Sequence, residues 1–247
     1  MNILFNIVVP LYNVERWVAR NIRSIKAQKY QNYRVVLVND MSTDGSVEVI
    51  EREIKNNEKF SLVHTEQNGG ALNSTKFGIN FLNPKDEDVI IVLDGDDWFS
   101  RPDSLDIVAK TYEEKECLMT YGSYIEYPRK IRGKFSRQIP EEILKNKSFR
   151  QSEWMTSHLR TFKYVLWRNI KEEDFFNSEG KVYSMAGDLP AMFPMLEMAE
   201  ERSAFIEEII HVYNRDNPLN EDKVNHELQY SIAFEVRNKP KYSRLEF

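Results

Sequence analysis

The stretch Val89-Ile90-Ile91-Val92-Leu93-Asp94-Gly95-Asp96-Asp97-Trp98 decides how the rest of the chain is read. Its apolar run, mostly β-branched, has the character of a strand buried on both faces of a parallel sheet. The carboxyl end of that strand delivers Asp94, Asp96 and Asp97 in quick succession. In open α/β sheets, ligands bind beyond the carboxyl ends of the strands. Like charges this close repel one another unless something positive sits among them. A divalent cation such as Mg²⁺ or Mn²⁺ answers that need, because hard ions take one or two carboxylates together with phosphate oxygens. The competing reading is an acidic turn in which Asp and Gly are only turn formers.

Outward from this stretch, strand and helix signals alternate. Phe5 to Pro10 is an apolar strand, and Val14, Trp17, Val18, Ile22 and Ile25 then recur at helical spacing. Val35 to Val38 is a second strand, ended by Asn39-Asp40, with a helix starting near Asp44 or Ser46. Phe60 to His64 is a third, followed by Asn68-Gly69-Gly70 and a helix through Leu82. Leu105 to Tyr112 supplies another helix and Leu118 to Tyr121 another strand. Such alternation implies βαβ units around a parallel sheet, hence an α/β fold. Right-handed crossovers gather the strand ends on one edge. Tyr12-Asn13, Asn39-Asp40, Gly69-Gly70 and the acidic turn meet there.

After Tyr121 the rhythm breaks. Arg129 to Arg137 is a basic, Gly-containing stretch that reads as a mobile loop, either a solvated linker or a grip on phosphate. Trp154 to Trp167 reads as an acceptor-side segment, Ala186 to Ala199 as a helix, and Ala204 to Val212 as a strand. The polar tail from Asn220 carries a helix over His226 to Val236. The expected division is therefore 1–122, 123–219 and a helical tail at 220–247.

The chain has 247 residues, 41% hydrophobic and 30% charged, enough for one sizeable core in an ordinary globular protein. A net charge of −5 argues against general nucleic-acid binding. The single cysteine, Cys117, excludes an internal disulfide and suits a reducing compartment. It reads as a small buried residue more readily than as a catalytic thiol. Met1-Asn2-Ile3-Leu4-Phe5-Asn6 lacks the basic flank and long apolar core of a leader peptide. No run approaches the ~20 apolar residues of a membrane span. A cytoplasmic location is expected, with peripheral membrane contact left open. The sequons at Asn73 and Asn146 read as chance.

Four segments in order, Ile7-Val8-Val9-Pro10-Leu11-Tyr12-Asn13, Val38-Asn39-Asp40-Met41-Ser42-Thr43-Asp44-Gly45-Ser46, Asn68-Gly69-Gly70 and Leu93-Asp94-Gly95-Asp96-Asp97-Trp98, resemble the family 2 glycosyltransferases of the GT-A fold. The resemblance covers about the first half of the chain. It implies a Rossmann-like, mixed but mostly parallel sheet flanked by helices, with a C-terminal acceptor-side segment. It also implies metal-dependent, inverting transfer of one sugar from a nucleotide-diphosphate sugar, UDP-linked by preference, to an acceptor hydroxyl in glycan synthesis.

The implied roles follow residue by residue. Pro10, Tyr12 and Asn13 cradle the base, with Asn13 equally able to cap the first helix. Asp40 accepts from the uracil ring; Asn39 stands where relatives carry a second aspartate. Gly70 lets backbone amides approach a phosphate or ribose. Lys76 adds positive charge for the donor or is a surface lysine. Asp94, Gly95 and Asp96 are the DXD signature, with Asp97 sharing the metal. His211 is a candidate third metal ligand, although a lone histidine is more often structural. Arg215 and Lys223 are candidates to close over the phosphates, and His158, Arg160 and Lys163 to meet acceptor or pyrophosphate.

Inverting transfer needs a base to deprotonate the acceptor. Ala186-Gly187-Asp188-Leu189-Pro190 stands where the family carries it, with Gly187 in place of a glutamate and Asp188 as the base. Asp188 two residues ahead of a proline also suits a helix cap. Processive relatives carry Gln-x-x-Arg-Trp and membrane helices; here Gln151-Ser152-Glu153-Trp154 lacks the Arg, so single-sugar transfer is expected. A sugar nucleotidyltransferase or a non-catalytic nucleotide-sugar binder are the alternatives.

Overall fold

The computed structural model describes residues 2–246; Met1, at the start of the leader-peptide reading, and Phe247 lie outside them. The strands are β1 (Phe5–Leu11), β2 (Tyr33–Asn39), β3 (Phe60–His64), β4 (Val89–Val92), β5 (Trp98–Phe99), β6 (Met119–Tyr127), β7 (Ile131–Arg132), β8 (Arg160–Lys163) and β9 (Ser203–Asn214). The helices are α1 (Val18–Lys26), α2 (Ser46–Ile54), α3 (Gly70–Leu82), α4 (Ser104–Lys115), α5 (Glu141–Asn146), α6 (Tyr164–Arg168), α7 (Leu189–Ala199), α8 (Glu221–Val224) and α9 (His226–Arg237). One sheet runs β3-β2-β1-β4-β8-β6-β9-β5, with β7 paired to β6. β3, β2, β1 and β4 are parallel neighbours, as are β6 and β9. β8 runs antiparallel to both β4 and β6, and β5 antiparallel to β9. This is the mixed, mostly parallel sheet with flanking helices that the sequence implied.

Strand side chains alternate between faces, so each central strand feeds two cores. Phe5, Ile7, Val9, Val35, Leu37, Val89 and Ile91 pack beneath α1, α2 and α4. Val8, Val36, Val38 and Ile90 pack against α3 and α7, with Ile232 and Val236 of α9 in the same cluster. Gly78 is what lets α3 lie so close to the sheet: a Cβ there would stand 2.6 Å from Val8 Cγ1 and 2.9 Å from Val38 Cγ2. Cys117 is buried, and burial pushes its thiol up to about 11, which keeps it an inert core residue.

Two segments carry strands that the sequence pattern did not announce. Trp154 to Trp167 contains β8, which is inserted in the middle of the sheet. Its four residues, Arg-Thr-Phe-Lys, have no apolar run, because Thr161 is satisfied by buried hydroxyls: Tyr112 Oη at 2.9 Å and Thr120 Oγ1 at 2.7 Å. The basic stretch is also ordered in part. β7 turns back onto β6, and Arg132 donates to Ser123 Oγ at 2.7 Å and the Glu207 carbonyl at 3.2 Å. No helix among the described residues is long and apolar enough to cross a membrane.

The segment after α9 is fastened by a buried ion pair. Arg150 meets Glu197 through two contacts, 2.7 and 2.9 Å, and donates to the Val236 carbonyl at 2.7 Å. Glu197 also accepts from the Tyr242 amide at 3.0 Å. Both side chains are almost fully buried. Removing one partner strands the other charge, which costs about 3–5 kcal/mol. Arg150→Met is therefore expected to lower stability in urea by about 3 kcal/mol; a loss below about 1 kcal/mol contradicts this account of the pair.

Candidate active site

The acidic turn is built by its contacts with β1 and α1. The Leu93 amide donates to the Val8 carbonyl and the Gly95 amide to the Pro10 carbonyl, each at 3.0 Å. A Cβ on Gly95 would stand 2.6 Å from Leu11 Cβ, so only glycine lets the turn seat against the end of β1. Buried Asn21 of α1 donates to the carbonyls of Asp94 (3.0 Å) and Asp97 (2.8 Å). The chain then enters β5, where Trp98 pairs with Val212 and Phe99 with His211. That pairing carries the end of β9 to the turn.

The three aspartates have different environments. Asp94 is 30% exposed and lies 3.7 Å from the Arg160 guanidinium. Asp96 is half-buried and accepts from Asn217 Nδ2 at 2.7 Å. Burial, then the charge of Asp97, holds its carboxyl well above the usual range. Asp97 is fully buried, with one oxygen accepting from the Asn214 amide and the other paired with His211 Nε2, each at 2.8 Å. Burial, then the charge of Asp94, raises it as well.

His211 sits in the same buried place, and burial pushes its imidazole down to about 3. In the tautomer whose Nε2–H donates to Asp97, Nδ1 is left as the lone-pair atom. That Nδ1 has no hydrogen-bond partner. Ligand atoms of Asp97, His158 and His211 lie within 4.8 Å of one another. The His158 and His211 rings, however, are stacked, 4.8 Å between centroids and 5° from parallel. Imidazole lone pairs lie in the ring plane, so the stacked pair cannot both aim at one ion. His158 instead braces His211, and Tyr213 stacks on His158 in turn at 5.1 Å. The rim carboxylates Asp94 and Asp96, both partly exposed, are the oxygens left with capacity for a divalent cation, whereas His211 groups with Asp97 and His158 in the buried cluster beneath them.

Asp188 occupies the N-cap position of α7 but makes no capping bond. Its carboxylate, 26% exposed, pairs with Arg160 Nη1 at 3.0 Å. Arg160 at the start of β8 thus spans Asp94 and Asp188. Gly187 is packed tightly: a Cβ there would stand 3.0 Å from Leu72 Cβ.

Asp40, at the end of β2, is buried and acts on α3. It accepts from the Gly69 and Gly70 amides, the latter at 2.7 Å, and from Thr65 Oγ1 at 2.9 Å. The amides that the sequence offered to a phosphate thus have an internal acceptor. Gly70 has φ +80°, a conformation that favours glycine. Tyr12 is exposed at the rim beyond β1. Asn13 joins two loops, its amide donating to Ser42 Oγ at 3.0 Å and its side-chain oxygen accepting from the Thr43 amide at 2.8 Å. Lys76 pairs with Glu172 at 2.5 Å, over the rings of Phe175 and Phe176. Lys223 donates to the carbonyls of Arg215 and Asn217. Lys163 pairs with Glu87 at 2.9 Å.

Among the residues brought together, Asn217 was not singled out from sequence, and His158 and Arg160 were expected to meet acceptor or pyrophosphate, not to pack on His211 and pair with Asp94 and Asp188. The alternation His158, Arg160, Phe162 was the available signal for a strand face.

The Glycosyl transferase family 2 model matches residues 6–176. GlyG, a glycosyltransferase of Streptococcus pneumoniae, is 28% identical over 51% of this chain and 41% of its own length. EpsJ, an uncharacterized glycosyltransferase of Bacillus subtilis, is 25% identical over 87% of this chain and 62% of its own length. The matches thus span less than two thirds of these relatives. In fold, the chain is similar to S. aureus TarS solved with UDP-GlcNAc, with a TM-score of 0.67, 17% identity, and coverage of 99% of this chain and 68% of that one. It is also similar to the mannosyltransferase PcManGT of Pyrobaculum calidifontis, solved with GDP-Man and Mn²⁺, with a TM-score of 0.60, 16% identity, and coverage of 85% and 56%.

The buried histidines have a consequence for pH. Burial holds His158 well below 6.5 and His211 at about 3, so below pH 6.5 the unfolded chain binds protons that the folded one refuses. Each histidine then withdraws up to ~1.4 kcal/mol of stability per pH unit. Asp96 and Asp97, shifted upward, act in the opposite sense, and comparison with a variant removes their contribution. In metal-free buffer, His158→Phe is expected to lose about 1–2 kcal/mol less than wild type between pH 6.5 and about pH 5, by urea unfolding at each pH. Parallel losses contradict the assignment.

Proposed function

The chain belongs to glycosyl transferase family 2, and from that premise we propose that it is a metal-dependent, inverting glycosyltransferase moving one sugar from a nucleotide-diphosphate sugar to an acceptor hydroxyl. The observation that carries this reading is that Asp94 and Asp188, far apart in sequence, meet on one guanidinium, at 3.7 and 3.0 Å. This supports the reading of a candidate diphosphate site at the turn after β4 with a candidate base beside it at the start of α7. That is the arrangement in-line attack on an anomeric carbon requires.

Asp94 and Asp96 would hold the cation, Mn²⁺ or Mg²⁺, while Asp97 orients the buried His211 behind them. When bound, the cation neutralises charge as the nucleoside diphosphate departs. Asp188 takes the acceptor hydroxyl proton while the new C–O bond forms and the anomeric bond to the diphosphate breaks. No covalent enzyme intermediate is needed. Tyr12 faces the base. UDP is the favoured carrier through Asp40, although its oxygens already accept from Thr65 and the Gly69 and Gly70 amides. A uracil N–H must therefore share or replace one of those donors. In the same reading, residues 1–122 form the donor half, 123–219 the acceptor and base half, and 220–247 a helical tail. A cytoplasmic setting accords with the lone, buried Cys117.

Asp188→Asn, assayed by nucleoside diphosphate release from UDP- and GDP-sugars, is expected to lose about 10²–10⁴-fold in turnover. Donor affinity should stay within about threefold of wild type. Unchanged turnover contradicts the reading. Asp96→Asn is expected to abolish the extra thermal stabilisation that Mn²⁺ gives a nucleoside diphosphate complex, a gain that otherwise follows mass action. Persistence of that gain contradicts Asp96 as a ligand.

A further inference from the structure

We propose that Arg160 is a positioning residue that holds the metal's place: its guanidinium occupies the gap between Asp94 and Asp188 until a divalent cation competes it away from Asp94. The inference rests on the reading of Asp94 and Asp96 as the cation site and Asp188 as the base.

The rim around the turn gathers Asp94, Asp96, Asp97 and Asp188. Among the described residues, Arg160 is the arginine or lysine paired with any of these acids. Arg160 cannot wander. β8 is held on both sides, with the Arg160 backbone opposite Val92, two residues before Asp94. Its side chain is only 10% exposed. The two contacts are unequal: 3.0 Å to Asp188 and a looser 3.7 Å to Asp94. A cation arriving at Asp94 therefore meets a positive charge already leaning on its ligand, and like charges in a partly desolvated site repel strongly. An incoming diphosphate has the reverse effect, because its oxygens offer the displaced guanidinium a new partner. Arg160 thus disfavours the ion alone and favours the ion together with a nucleoside diphosphate, while keeping Asp188 fixed beside both.

The test uses Mn²⁺ alone, followed by electron paramagnetic resonance. It is repeated with UDP or GDP, whichever stabilises the wild type more in a thermal scan with Mn²⁺. Arg160→Gln removes the charge. It is expected to tighten Mn²⁺ alone by about tenfold and to weaken the nucleoside diphosphate in the presence of Mn²⁺ by about tenfold. Structural damage at the site would weaken both, so the opposite signs are diagnostic. Arg160→Lys keeps the charge but cannot span both acids with one ammonium, so its gain for Mn²⁺ alone should be smaller than that of Arg160→Gln. Should Arg160→Gln not fold, Arg160→Met serves, since Asp94 and Asp188 are 30% and 26% exposed and water can solvate the acids left behind, unlike the closed Arg150–Glu197 pair. If a neutral variant binds Mn²⁺ alone no more tightly than wild type, the inference fails. If the wild type captures neither Mn²⁺ nor a nucleoside diphosphate, the functional reading itself fails, and this inference with it.

Discussion

Repulsion among carboxylates is the constraint on which this structure turns. Asp94, Asp96 and Asp97 follow a strand whose burial strips them of water, and Asp188 is brought beside them from α7. The fold answers with a different device for each. Arg160 pairs with Asp94 and Asp188, Asn217 donates to Asp96, and the Asn214 amide and His211 satisfy Asp97. Only Asp97 is fully closed off by protein partners and burial. The acids left with capacity at the rim, Asp94 and Asp96, are those that the proposed cation and diphosphate would reach.

That division explains why residues close in sequence have different tasks. Asp97 is one position from Asp96, yet it faces inward and orients a histidine, because the turn held by Gly95 and Asn21 passes directly into β5. Asp40 works in a similar way at the end of β2, where its carboxylate gathers the amides that open α3. Both acids act through backbone and side-chain geometry as much as through charge.

Much of the fold was legible in the chain. β1 to β4 announce themselves as short apolar runs between helical periodicities, because a strand buried on both faces must be apolar throughout. The tail helix was legible for the same reason of periodicity. β8 was not, since its polar side chains are satisfied by hydroxyls of α4 and β6 and by acids flanking β4 and capping α7, none of them near in sequence. β7 was hidden because its pairing depends on a turn and on Arg132 reaching Ser123 and Glu207. The acids of the site could be located by their place at strand and helix ends. Their pairing with Arg160, His211 and Asn217 could not, because pairing is a property of contact. Asp188 shows the difference: its sequence suits a helix cap, and its position is one, but the side chain turns to Arg160 instead.

The most direct test of the account is a crystal of this chain grown with MnCl₂ and a nucleoside diphosphate, with diffraction measured at the manganese absorption edge. The account predicts one anomalous peak, in contact with the Asp96 carboxylate and the diphosphate, and none between the stacked rings of His158 and His211. A peak held by both imidazoles, or a bound nucleotide with no peak at the Asp94–Asp96 turn, contradicts it.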